Sequence, residues 1–201
     1  MDARPLFLAQ HSAVHSMAVG DNASSVSEQA FGGLTDRQMR MRPLKDLNSL
    51  AWIMWHVARS EDAVVNRVLT GRPQVLDEDW LACLRISRRD AGTGMTSSEV
   101  ADLTRQIDLP ALRDYRDAVG RRTREIVAAF EPDDWEGECT AAAVARAADE
   151  GAFGRLTDML VTLFTGRPRA MLLSGIAILH PARHFGEATT IRGLGGFGNG
   201  F

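Results

Sequence analysis

An all-α fold, a four-helix bundle with extra short helices in its crossover connections, follows from three features of this 201-residue sequence. Four long stretches repeat apolar residues at spacings of three, four and seven, the period of a helix with one buried face. No stretch alternates apolar and polar residues as a half-buried strand does. Glycine-rich phosphate loops after a strand, P-loops and G-x-S-x-G turns are absent from the sequence. Hydrophobic residues make up 45% and charged residues 24% of the chain, so a globular core is expected without help from disulfides or metals.

The elements are expected in this order. Leu6 to about Phe31 reads as helix, with Phe7, His11, Val14 and Ala18 on one face and Gly20-Asp21-Asn22 as a point of interruption. Gly32 to Asp36 is a loop signal. The second helix is capped by Asp46 or Asn48 and stopped by Gly71 with Pro73 behind it. Trp52, His56, Arg59 and Ala63 share one of its faces, and Leu50, Ile53, Val57, Val64 and Val68 cover the next, which implies burial between other helices. A short turn is expected at 77–82. Thr96 and Glu99 have the spacing of a capping box for a helix to about Gln106. Asp108 caps the third long helix, Leu112, Tyr115, Val119, Ile126 and Phe130 form its stripe, and Pro132 ends it. Residues 138–150 are Ala-rich and helical, Gly151 to Gly166 gives another helix, and Arg167-Pro168 opens the last long one. The whole chain is read as a single domain, with a Gly-rich tail at about 193–201 that is a loose or docked end.

Composition removes several function classes. A net charge of −3 with scattered arginines gives no electrostatic footprint for nucleic acid. Ala170 to Leu179 is too short an apolar run to span a membrane, and the N-terminal residues lack signal-peptide architecture. Cys83 and Cys139, outside any C-x-x-C pair, read as structural thiols of a reduced, cytoplasmic protein.

The chemistry concentrates in His180-Pro-Ala-Arg-His184. Residues four apart lie on one helix face, so both imidazoles can reach one ion at roughly 2.0–2.1 Å. His56, in the apolar run Leu50-Ala-Trp-Ile-Met-Trp-His56, supplies the third ligand if the fold brings it opposite. Three imidazoles leave a coordination position open, which suits either thiol activation or hydrolysis. Around them, Arg59 one turn beyond His56 and Arg183 beside His184 are candidates to hold a carboxylate. Glu187 is a candidate to accept from a ligand's distal N–H, and Trp52 and Trp80 are candidate apolar walls. Glu61 and Asp62 read as ion-pair partners, and His11 and His15 as ordinary positions of the first helix. Pro181, inside the histidine pair, removes a backbone donor and is expected to kink its helix.

The segment Asn48-Ser-Leu-Ala-Trp-Ile-Met-Trp-His56-Val-Ala-Arg59-Ser-Glu61-Asp62, with His180-x-x-x-His184-Phe-Gly-Glu187 far downstream, resembles the DinB/YfiT-like superfamily from about residue 10 to 195. The Gly-Arg-Pro-Gln turn at 71–74 and the Gly94-Met95-Thr96 loop are similar to the family's connections. The resemblance implies a bundle with one long crossover and a divalent ion, zinc or nickel above all, on His56, His180 and His184. It also implies a small-molecule enzyme. Relatives include S-transferases that use the low-molecular-weight thiols mycothiol or bacillithiol, a thiol-dependent isomerase and hydrolases. A non-enzymatic, stress-related ligand- or metal-binding bundle is the remaining alternative. Residues 138–166 exceed a minimal bundle and are expected to cover the site or form a dimer face; apolar faces at 152–173 point to a homodimer.

Overall fold

A computed structural model of the chain describes residues 2–20 and 25–198. Among them there is no strand, only one isolated antiparallel bridge between Glu138 and Pro168. The elements are α1 (Arg4–Val14), α2 (Val26–Phe31), α3 (Asp36–Arg40), α4 (Leu50–Glu61), α5 (Glu78–Leu84), α6 (Ser97–Gln106) and α7 (Leu109–Ala128). They continue with α8 (Pro132–Glu136), α9 (Ala141–Asp149), α10 (Thr157–Phe164), α11 (Arg169–Ser174) and α12 (His180–Gly195). Two π-helical segments interrupt the long rods: Asp62–Leu69 prolongs α4, and Gly175–Leu179 joins α11 to α12. No helix of the described residues is long and apolar enough to cross a membrane.

The bundle is built on α4 and its continuation. All twelve residues of α4 are buried, because α7 and α12 pack on it from different sides while α3 and α6 close the top. Trp55, Ile53 and Leu50 meet Leu112, Tyr115 and Val119 of α7, and Phe185, Ala188 and Ile191 of α12, in one apolar cluster. A second cluster, at the other end, joins Val64, Val65 and Val68 to Ile126, Phe153, Phe164 and Leu173.

The caps follow the sequence with local corrections. Ser49, not Asp46 or Asn48, caps α4 by accepting from the Trp52 amide; Asn48 is left free for another task. Thr96 and Glu99 form the expected capping box of α6, and Asp108 caps α7 through the Ala111 amide. Gly71 stops the second rod at a positive φ of 69°. The first segment is two helices rather than one; Asp21-Asn22, where the interruption was expected, lies outside the described residues. Pro132 opens the short α8 instead of ending α7, which closes at Ala128. The span 151–166 is less regular than expected: Gly151 and Gly154 take positive φ, a 3-10 turn (Gly154–Leu156) follows, and α10 begins only at Thr157. The glycines near the end do not prevent helix; α12 runs to Gly195, with Arg192 reaching back to the carbonyls of Ala30 and Gly32. Residues 199–201 of the expected tail lie outside the described residues.

Pro181 is accommodated rather than disruptive. An α-helix would set its ring against the carbonyl four residues back. Here the preceding turn is wound as π-helix, and the His180 amide bonds the Gly175 carbonyl five residues back. The proline then occupies the first turn of α12, where no N–H is needed.

Candidate metal centre

His56 stands in the second turn of α4, 6% exposed, with Trp52 stacked on its ring at 4.6 Å between centroids and 11° between planes. Its Nδ1 lies 2.6 Å from the Ala91 carbonyl. That carbonyl is presented by a tight loop in which Asp90 accepts from the Gly92 amide and Gly92 takes a φ of 80°. A carbonyl only accepts, so Nδ1 carries the proton and the Nε2 lone pair points into the bundle. His184, from α12, is fixed the same way: its Nδ1 donates to Glu187 at 2.8 Å, and the other Glu187 oxygen accepts from Asn48 Nδ2 at 2.8 Å. Burial opposes the charge on Glu187, but the bonds from His184 and Asn48 outweigh it and hold its pKa below the ordinary value.

His180 completes the group. Its Nε2 is 3.0 Å from His56 Nε2, and the rings of His56 and His180 each lie 4.7 Å from that of His184. Three imidazole donor atoms within 4.8 Å of one another are spaced as ligands of one ion at about 2.0–2.1 Å. Burial lowers the pKa of His56 to about 4 and of His180 to about 3, so both are neutral donors at pH 7. Donor type and spacing fit a divalent cation, with the tautomer fixed at His56 and His184, while His180 Nδ1 is buried without a hydrogen-bond partner.

His11, His15 and Glu61 form a second, fully buried group. Glu61 faces His11 Nε2 at 2.9 Å and His15 Nε2 at 3.6 Å, but neither Nδ1 has a hydrogen-bond partner. Both Nε2 atoms are turned to the Glu61 carboxylate rather than to an open position. The group is a carboxylate clasped by two imidazoles, and it docks α1 on the bundle. Burial lowers the His15 pKa to about 3, so its ring is neutral. These histidines are more than the ordinary helix positions the sequence predicts, and Glu61, expected as an ion-pair partner, faces two imidazoles instead.

Of the other expected site residues, Trp52, Glu187 and Arg183 stand at the three-histidine group: Trp52 against His56, Glu187 on His184, and Arg183 in a groove that His180 also lines. Arg59 and Trp80 do not. Arg59 is 1% exposed and bonded to Asp62, Tyr115, Gln74 and the Arg89 carbonyl, while Trp80 packs edge-on against Tyr115 at 5.4 Å. The shared helix face set Arg59 near His56 in the sequence, but its long side chain turns to the buried Asp62 instead. Sequence reasoning did not single out the Ala91 carbonyl or the Glu187-binding role of Asn48. Only the Asp90-Ala-Gly92 turn hinted at the first, and nothing local marked the second.

A cavity of about 200 Å³ opens beside the histidines, lined by His56, His180, Ala63, Phe153, Leu160 and Phe164 among others. Of residues 138–166, expected to cover the site or form a dimer face, Ala152, Phe153, Leu160, Leu163 and Phe164 line this cavity.

Fold and site together define an all-α bundle with a candidate three-histidine metal centre between its second and last long helices. A family model described as DinB superfamily matches residues 21–163, well over half of the chain, and the protein belongs to that superfamily. The match includes His56 and ends before His180 and His184, so the pair enters the centre on the geometry above. No curated protein matches the chain.

Proposed function

We propose that the protein is a divalent-metal-dependent small-molecule enzyme, a thiol S-transferase that joins a low-molecular-weight thiol of the mycothiol or bacillithiol kind to an electrophile. The observation that carries this reading is the pair of fixed tautomers, His56 on the Ala91 carbonyl and His184 on Glu187, which turn two Nε2 lone pairs toward His180 Nε2. Zinc or nickel held by His56, His180 and His184 would supply the Lewis acidity that ionises a thiol at neutral pH, the thiolate being the nucleophile.

The chain's own residues do the rest. The Ala91 carbonyl and Glu187 keep the imidazoles oriented and electron-rich. Trp52 covers one side of His56. Ala63, Phe153, Leu160 and Phe164 give the adjoining cavity a mainly apolar lining with no side-chain carboxylate among its described residues to act as base. Such a lining suits an apolar electrophile.

The test is turnover of electrophiles with and without added thiol, on native protein and on His56→Ala, His180→Ala and His184→Ala. The expected result is thiol-dependent transfer that falls at least ~100-fold in each variant together with metal content. Turnover that needs no thiol would replace this reading by metal-dependent hydrolysis. Absence of turnover with metal still bound would favour a binding protein.

A further inference from the structure

His56 and His180 line the inner end of a longer apolar channel. The 200 Å³ cavity shares Leu163, Phe164, Ile176 and His180 with an outer groove of about 460 Å³. Leu163, Met171 and Leu179 line that groove and are 44%, 61% and 63% exposed, an apolar strip left open by the described residues. Two cations stand in its wall, Arg167 and Arg183. Arg183 has no hydrogen-bond or ion-pair partner among the described residues, and Arg167 gives only its Nε to the Leu163 carbonyl. Among the described residues, no aspartate or glutamate lines the cavity or the groove. The charge of Arg183 is felt at His180, where it helps to disfavour the imidazolium.

An apolar trough with one free and one partly engaged guanidinium group, and no acid among its described lining residues, matches one ligand chemistry: an apolar body carrying an anionic head. We infer that the groove between α10 and the α11–α12 rod is the binding site of an amphiphilic carboxylate, whose head sits on Arg183 and Arg167 and whose apolar arm runs past Leu163 and Ile176 toward His56 and His180. This rests on the enzymatic reading only in that the arm would be the part delivered to the metal centre; the binding itself requires no turnover.

Calorimetric titration with octanoate and with its neutral amide, octanamide, tests it on metal-loaded and metal-free protein. Octanoate is expected to bind at least tenfold more tightly than octanamide in both forms. Arg183→Ala and Arg167→Ala/Arg183→Ala should each remove most of that preference, with metal content unchanged. Leu163→Asp, an exposed position that does not threaten folding, should weaken octanoate at least tenfold by placing a like charge in the shared wall.

Equal affinity for acid and amide overturns the inference, as does octanoate binding that ignores both arginines and vanishes with the metal. A dimer in sedimentation that buries the groove and blocks octanoate overturns it too, in favour of a second copy of the chain as occupant. Metal loss from the native protein would instead count against the centre and leave the arginine dependence in metal-free protein to be read by itself.

Discussion

At the scale of single residues, the centre depends on the atoms behind its ligands. Glu187 touches no ion in the proposed arrangement, yet it sets the His184 tautomer and is itself held by Asn48. Glu187→Ala should weaken metal binding about 10–100-fold without loss of helix content, measured by competition with a chromophoric chelator. Glu187→Gln, which keeps an acceptor for Nδ1, should recover part of that loss. Unchanged affinity in both would mean that the His184 orientation is set by packing alone. That His180 and His184 share a face was legible in the sequence from their four-residue spacing on a helix. Ala91 was not legible, since any residue can offer a carbonyl and only the folded loop says which one does. Arg59 shows the limit of face arguments: its Cα is placed as expected, but its guanidinium follows the nearest buried carboxylate.

At the scale of elements, two polar anchors hold the scaffold. Asp62, fully buried where α4 passes into its π-helical continuation, accepts from Arg59, Tyr115, Asn66 and the amides of Val75 and Leu76. It thereby ties the second rod to α7 and to the chain that leaves it. Asp62→Ala leaves the Arg59 charge buried and unpaired, and urea unfolding should show a loss of about 3–5 kcal/mol; a loss below about 1 kcal/mol would contradict the role given to this network. Glu99, half-buried at the start of α6, is held to a pKa of about 2, first by the Thr96 backbone and hydroxyl and then by Arg155 and Arg88. A carboxyl whose folded pKa lies below its ordinary 4.5 contributes stability above that value and loses it as pH falls toward 2. Glu99→Gln should therefore melt at lower temperature than the native chain at pH 7, with the gap closing between pH 4.5 and 2. A gap independent of pH would mean that the carboxylate's charge does not matter there. The capping box behind this effect was readable from Thr96-Ser-Ser-Glu99, whereas the π-helical turns were not. They answer to Pro181 and to packing around Asp62, and a periodic pattern does not record a single extra residue per turn.

At the scale of the whole molecule, the bundle brings His56 and His180, 124 residues apart, to 3.0 Å between Nε2 atoms. The five histidines of the sequence fall into two groups, one fully buried and one partly buried. Acceptors at Nδ1 turn the lone pairs of His56 and His184 toward His180, whose own Nδ1 has no partner, while His11 and His15 close on Glu61. Fold class was legible from four periodic stretches, and the second histidine group was not, because its third member, Glu61, lies on another helix and an i,i+4 pair does not announce its partner. The most direct measurement is elemental analysis of untagged protein, purified without added metal, beside the His56→Ala/His180→Ala/His184→Ala and His11→Ala/His15→Ala variants. The expected result is about one divalent ion per chain in the native protein, lost in the first variant and kept in any folded form of the second. Native protein without metal, even after dialysis against zinc or nickel, or equal metal in native and triple variant, would contradict a metal centre on His56, His180 and His184.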